Sequence, residues 1–255
     1  MIYKDICIML PTYKRVKNGR LIKCIESIYN TVSDHKRAKL CLCVNENDSE
    51  TIDYVENILP NYPIDFDVVY EKTTQPNLAY YFNKVYDETV FNDEHTLVSM
   101  VGDDMVFKTE GWDIAILKEV NAHDGVGFVW ANDDYIARER CPVNLFTTRK
   151  TVQATEKPFM CPLFRAEMID VVWGNIGIIA GCGHFLADVI IKHEHCSGLP
   201  ANLWDENFGR LSPLRQINNS NWSKKQATIW SMICASNLIK NGLCDWNMKE
   251  IFKGY

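Results

Sequence analysis

Short apolar runs that alternate with helical patterns constrain the fold more than any other feature of this sequence. The first run, Ile6–Leu10, is stopped by Pro11 and is followed by apolar residues at helical spacing, among them Leu21 and Ile25. Further runs of the same kind occupy residues 40–44, 66–70, 96–101 and 127–130. Buried strands that alternate with helices are typical of βαβ units. The first half therefore predicts an α/β fold with a mostly parallel central sheet flanked by helices.

The second half of the chain is less regular. Its polar stretch 132–155 predicts loops, and 158–172 predicts a strand and then a short helix that begins near Arg165. Four glycines within 174–183 predict a mobile, turn-rich segment. Apolar residues at helical spacing over 222–243 predict a C-terminal helix. Because no linker interrupts the 255 residues, we expect one domain over 1–255.

Composition narrows the class of protein. The net charge of −6 argues against a nucleic-acid-binding protein, although a local basic groove stays open. The ten cysteines include no matched C-x-x-C pairs, so we expect buried, reduced thiols in preference to a disulfide framework. The N-terminus lacks a leader pattern, and no apolar window is long enough to span a membrane. We therefore expect a soluble, cytoplasmic protein.

The turn Gly102-Asp103-Asp104-Met105 carries the sharpest chemical signal. Two carboxylates stand directly after an apolar strand, and ligands of open α/β sheets bind outside such strand ends. Adjacent carboxylates repel each other, and a divalent cation that prefers oxygen ligands relieves the repulsion. The alternative is a solvated Asp-Asp turn without a ligand, and this motif alone does not decide between the two.

Two other segments carry weaker signals. Pro11–Arg15 follows the first strand, where the hydroxyl of Thr12 and the cation of Arg15 are suited to a nucleotide. Taken alone, the segment is better explained as an ordinary strand-to-helix loop, where Pro, Lys and Arg are common. Asn77 is expected to cap the next helix, and Asn83 lies near that helix's inner face. A buried Asn needs hydrogen-bond partners, which either a loop or a ligand would supply.

Taken in order along the chain, these segments resemble the family-2-type glycosyltransferases of GT-A fold. The resemblance spans roughly residues 4–130, and more weakly 158–200. It implies that 1–130 forms a nucleotide-sugar-binding half and 131–255 an acceptor-binding half. The resemblance also implies a set of donor-binding residues: Pro11, Thr12, Tyr13 and Arg15 at the nucleotide, Glu46 or Asp48 at the base, Asn77 and Asn83 beside them, and Asp103 at the sugar or ribose.

The same resemblance implies the metal ligands and the catalytic base. Asp104 matches the metal-binding position, and His193 or His195 would complete the metal shell. The implied cofactor is Mn²⁺ or Mg²⁺. Asp188 matches the general base, which would take the proton of an acceptor hydroxyl.

The expected activity is transfer of a hexosyl or pentosyl group from a nucleotide-diphosphate sugar to a glycan or saccharide acceptor, with inversion. A hydroxylated base in DNA is the alternative acceptor. A nucleotidyltransferase is a further alternative, but the first loop has no glycine before Gly19, which argues against it. The last alternative is a non-catalytic module that binds a nucleotide sugar.

Overall fold

One eight-stranded sheet forms the centre of the protein. The computed structural model describes residues 2–72, 77–90, 94–135, 139, 141–165, 168–195 and 221–245. The strands are β1 (Asp5–Thr12), β2 (Ala38–Asn45), β3 (Asp65–Glu71), β4 (Thr96–Met100), β5 (Met105–Phe107), β6 (Phe128–Asn132), β7 (Leu145–Thr148) and β8 (Gly183–His193). Their order is β3-β2-β1-β4-β7-β6-β8-β5.

The sheet is mostly parallel, as the sequence predicts. Strands β1 to β4 run in one direction, and β6 and β8 run parallel to each other. Strand β7 is antiparallel to both β4 and β6, so β6 has the same direction as β1 to β4. The carboxyl ends of these parallel strands consequently meet at one edge of the sheet, which we call the carboxyl edge.

Helices cover both faces of the sheet. They are α1 (Arg20–Thr31), α2 (Ser49–Asp53), α3 (Leu78–Val85), α4 (Trp112–Ala122), α5 (Arg149–Ala154), α6 (Ile169–Ala180) and α7 (Asn221–Lys240). Side chains alternate along β1, where Ile6 and Ile8 enter one apolar cluster with α1 and α4. Cys7 and Met9 enter a second cluster, with α3, α6 and α7. The alternation explains why nearly every residue of β1 is apolar.

Three predictions for the second half are wrong. The stretch 132–155 contains β7 and α5, and within the described part of 158–172 there is no strand. The helix expected near Arg165 begins at Ile169 and continues to Ala180, through most of the segment predicted to be mobile turns. Strand β7 has only four residues, all buried, which is too short to show a period in the sequence.

Close packing explains the presence of Gly177 in α6. The helix buries Val172, Trp173 and Ile176 against the second apolar cluster. A Cβ atom on Gly177 would lie 2.7 Å from Cζ of Phe128 and 3.2 Å from Cα of Gly183. The helix approaches β6 and β8 this closely because it has no side chain at that position, so burial of its apolar face outweighs the low helix propensity of glycine.

The remaining helices agree well with the sequence. Helix α7 covers most of the predicted 222–243 segment.

The nine cysteines within the described residues carry free thiols, while Cys196 lies outside those residues. Among the described residues, no helix has the length and apolar character needed to cross a membrane.

Replacing Gly177 with Ala is expected to destabilise the fold, opposite to the usual effect of Gly→Ala within a helix. Helix propensity favours Ala by up to about 1 kcal/mol, but crowding against Phe128 costs about 1–3 kcal/mol. Chemical denaturation measures the free energy of unfolding. Ile178→Ala, on the exposed side of the same helix, is the control and should change it by less than about 0.5 kcal/mol. A stabilised Gly177→Ala variant would contradict this packing.

Candidate active site at the carboxyl edge

Both aspartates of the Gly102-Asp103-Asp104 turn lie at the carboxyl edge beside cationic side chains. Oδ1 of Asp103 is 3.5 Å from Nε of Arg15. Oδ2 of Asp104 is 3.8 Å from Nη1 of Arg20, and its Oδ1 is 3.5 Å from Nε2 of His193. The Asp104 side chain retains 16% exposure, so a ligand can reach it. The turn therefore holds two partly buried carboxylates, each next to positively charged side chains.

Pairing between β5 and β8 brings His193 to this turn from the distant second half. Met105 is opposite His193 in the antiparallel ladder, and the N–H of Glu194 donates to the carbonyl of Asp104 at 2.9 Å. Lys23 of α1 binds the Glu194 carboxylate at 2.6 Å. Strand β8 is thus fixed on one side to the turn and on the other to α1.

Electrostatics keep Asp104 ionised. Burial by itself would raise the pKa of Asp104, but His193, Arg15 and Arg20 together hold it well below its usual range. Burial would likewise lower the pKa of His193, yet its contact with Asp104 and the charges of Asp133 and Asp170 raise it. The protein surroundings therefore favour a carboxylate and a protonated imidazole at this position, and a cation bound by His193 would have to displace that proton.

The loop after β1 lies at the carboxyl edge beside the Asp103-Asp104 turn. Pro11 and Thr12 end the strand, Tyr13 is half-buried, and Arg15 is buried against Asp103. Among the described residues, the buried hydroxyl of Thr12 has no hydrogen-bond partner. A buried hydroxyl without a partner is uncommon, and a bound ligand would satisfy it.

The two acidic candidates after β2 have different surroundings. Asp48 is buried and its carboxylate accepts hydrogen bonds from the backbone N–H of Lys14 (2.5 Å) and from the hydroxyl of Thr51 (2.7 Å). It caps α2 and joins the loops after β1 and β2. Glu46 is exposed. Of the two, Glu46 has the carboxylate that a nucleotide base can reach.

Asn77 and Asn83 both have structural partners. Asn77 caps α3, since its Oδ1 accepts from the N–H of Tyr80 at 3.0 Å. Asn83 donates to the carbonyl of Met160 at 3.0 Å and accepts from its N–H at 2.7 Å. The loop partner expected for Asn83 is therefore present, and it links α3 to the segment before α6.

Asp188 lies apart from the turn. It is exposed within an irregular part of β8, where its backbone oxygen accepts from the hydroxyl of Thr109. It lies in the bulge that precedes Ile190, and His193 beside the turn is three residues further along the strand than Ile190. His195, by contrast, lies near the turn: its ring centroid is 5.0 Å from that of His193. Asp104 and the two histidines are thus brought together, whereas Asp188 is not.

Sequence reasoning missed four charged residues at this edge. Asp133 follows β6, Asp170 lies in the first turn of α6, and Arg20 begins α1. Glu71 ends β3, where it accepts from the Tyr80 hydroxyl at 2.9 Å and binds Lys84 at 3.2 Å. The sequence could have identified two of them by their position, because Glu71 and Asp133 each stand at or just after the end of an apolar run.

The donor atoms around Asp104 suit a divalent cation. A carboxylate and an imidazole converge at 3.5 Å, each with a side chain about one-sixth exposed. Oxygen ligands suit Mg²⁺ and Mn²⁺, and the imidazole of His193 favours the softer Mn²⁺. A cation there would have open positions for diphosphate oxygens and water. Asp104 and His193 are the residues that would hold it.

Comparison with known proteins gives structural matches without sequence matches. The chain matches no known protein family and no curated protein by sequence. A structure of S. aureus TarS (1–349) superposes with a TM-score of 0.60 at 10% identity, over 92% of this chain and 72% of that chain. The mannosyltransferase PcManGT from Pyrobaculum calidifontis, in complex with GDP-Man and Mn²⁺, has a TM-score of 0.59 at 12% identity, over 94% and 77%.

Glucosyl-3-phosphoglycerate synthase from Mycobacterium tuberculosis, in complex with phosphoglyceric acid, gives a TM-score of 0.52 at 11% identity. The match covers 78% of this chain and 74% of that chain. These structural neighbours are nucleotide-sugar glycosyltransferases of the GT-A type. At such low identities the likeness concerns the fold alone. The chain therefore has the GT-A-type fold that the order of its motifs predicts.

Proposed function

We propose that this protein is a metal-dependent glycosyltransferase that uses a nucleotide-diphosphate sugar. The observation that carries the proposal is the meeting of Asp104, His193, Arg15 and Asp103 at the carboxyl edge of a GT-A-type fold. Similar folds have been solved with UDP-GlcNAc in TarS and with GDP-Man and Mn²⁺ in a mannosyltransferase. The acceptor we propose is a hydroxyl of a glycan or saccharide.

Different residues of the carboxyl edge would contact different parts of the donor. The half-buried ring of Tyr13 and the unpartnered hydroxyl of Thr12 would contact the nucleoside, with Glu46 at the base. Asp103, held by Arg15, would face the sugar or ribose. Mn²⁺ or Mg²⁺ held by Asp104 would neutralise the diphosphate and stabilise the charge that develops on it as it leaves.

Proton transfer requires a carboxylate at the acceptor side, and Asp170 is better placed for it than Asp188. Asp170 is half-buried and its charge acts on His193, whereas Asp188 is exposed and lies in the bulge of β8 before Ile190. In the proposed displacement, the acceptor oxygen attacks the anomeric carbon and its proton passes to this carboxylate. The bond from that carbon to the diphosphate breaks on the opposite side, which inverts the configuration.

Donor binding is expected to depend on metal and on Asp104. Saturation with a matching UDP- or GDP-sugar at about 100 times its dissociation constant stabilises a protein by about 2.7 kcal/mol. For 255 residues this raises the melting temperature by roughly 5–10 °C. The shift should require Mn²⁺ and disappear in EDTA and in Asp104→Asn. An undiminished donor shift or full activity in EDTA would exclude the metal role.

Separate substitutions of Asp170 and Asp188 distinguish which of the two carboxylates is the general base. Asp170→Asn should lower kcat by about 10²–10⁴-fold, the usual contribution of a general base, while leaving the donor-dependent thermal shift intact. Asp188→Asn is the matched control and should stay within about twofold of wild type, as surface substitutions usually do. The reverse pattern would return the catalytic role to Asp188.

Gly102 is expected to be required for the position of the Asp104 carboxylate. A Cβ atom at this glycine would lie 2.7 Å from Oδ1 of Asp104, so Gly102→Ala displaces the oxygen that faces His193. We expect the Mn²⁺ concentration for half-maximal activity to rise about tenfold or more, as for other disturbed ligand shells. The melting temperature of the metal-free protein is the control and should change little. Unchanged Mn²⁺ dependence would contradict this role.

A further inference from the structure

A second group of metal-binding side chains lies far from the carboxyl edge. Glu119 and His123 are four residues apart at the C-terminal end of α4, so they share one face of the helix. His184 is the second residue of β8, which passes beside that face. We call these three residues the α4–β8 cluster. His184 lies near the beginning of β8 and His193 is its last residue, so the two histidines are at opposite ends of the strand.

The donor atoms of the α4–β8 cluster converge on one carboxylate. Oε1 of Glu119 is 3.2 Å from Nε2 of His123 and 4.0 Å from Nδ1 of His184. All three donor atoms lie within 4.8 Å of one another, and among the described residues this is the one group of three that does so. Ligands of a tetrahedral zinc ion at bond lengths near 2.0–2.2 Å are separated by roughly 3.3–3.6 Å. The two separations from Oε1 of Glu119, 3.2 and 4.0 Å, are within about 1 Å of that requirement.

We propose that the α4–β8 cluster is a zinc site, independent of the proposed transferase chemistry. Two imidazoles and one carboxylate form a donor set that suits Zn²⁺, and the harder Mg²⁺ prefers oxygen ligands alone. Three protein ligands leave a fourth position for water. The ion would join the end of α4 to the beginning of β8.

The surroundings of His184 favour its neutral form, and His123 has the freedom to turn that ligation needs. Burial and the neighbouring His123 lower the pKa of His184, which favours the neutral, ligating form. The two rings are stacked, with centroids 3.7 Å apart and planes 12° apart, so their nitrogens do not yet point at a common centre. One ring must turn about its Cβ–Cγ bond. His123 is 40% exposed and has room to do so.

Direct titration of the tag-free, chelator-stripped protein with its thiols kept reduced tests this site. Calorimetry with Zn²⁺ on the Asp104→Asn background, which removes the proposed carboxyl-edge site, should show one site, and adding His184→Ala should weaken it by more than about tenfold. Glu119→Gln, a nearly isosteric change at a half-exposed position, provides a second variant that keeps the packing. Co²⁺ as a visible probe should show absorption typical of nitrogen and oxygen ligands, without thiolate-to-cobalt charge transfer.

Matched controls separate this site from the carboxyl edge. Asp104→Asn and His193→Ala should retain the site, and His35→Gln, a histidine elsewhere on the chain, should retain it as well. Both cluster variants, made in the wild-type protein, should keep the donor-dependent thermal shift. Equal Zn²⁺ affinity of the Asp104→Asn protein with and without His184→Ala or Glu119→Gln would overturn the proposal, as would absence of binding in that protein or cobalt spectra that report thiolate ligands.

Discussion

Two adjacent, partly buried carboxylates need positive charge close by, and the rest of the site is organised by that need. An ionised carboxylate taken from water without a partner costs several kcal/mol. Asp103 and Asp104 receive their compensation from Arg15, Arg20 and His193, which belong to the loop after β1, to α1 and to the end of β8. Because no single element supplies all three, the turn fixes these elements relative to one another.

The topology of the sheet makes this arrangement achievable. Strand β7 reverses direction between β4 and β6, which places the ends of β6 and β8 at the same edge as those of β1 to β4. The short strand β5 then pairs with the end of β8 and brings His193 beside Asp104. Residues from both halves of the chain therefore meet at one edge. The same long strand carries His184 at its other end, so the two proposed metal sites lie at opposite ends of β8.

Some of the residues that were expected to bind the donor form hydrogen bonds within the protein instead. Asp48 caps α2 and holds the loop after β1, and Asn83 bridges to the backbone of Met160. A short polar residue after a strand looks alike in sequence whether its partner is a ligand or a neighbouring loop. Which partner it has depends on backbone groups far along the chain, as the separation between Asn83 and Met160 illustrates.

The sequence alone located strands β1 to β4 and β6, because each is an apolar run bounded by turn residues. It did not locate β5, whose three residues are too few to show a pattern. It also located the Asp103-Asp104 turn after β4, since a strand end follows directly from the apolar run before it. Only the tertiary structure decided that α6 is a helix, because its Gly177 is explained by close contact with Phe128 and Gly183. It likewise decided that His193 faces Asp104 and Asp188 does not, because strand register and an irregularity in β8 set these positions, and neither is encoded in local residue patterns.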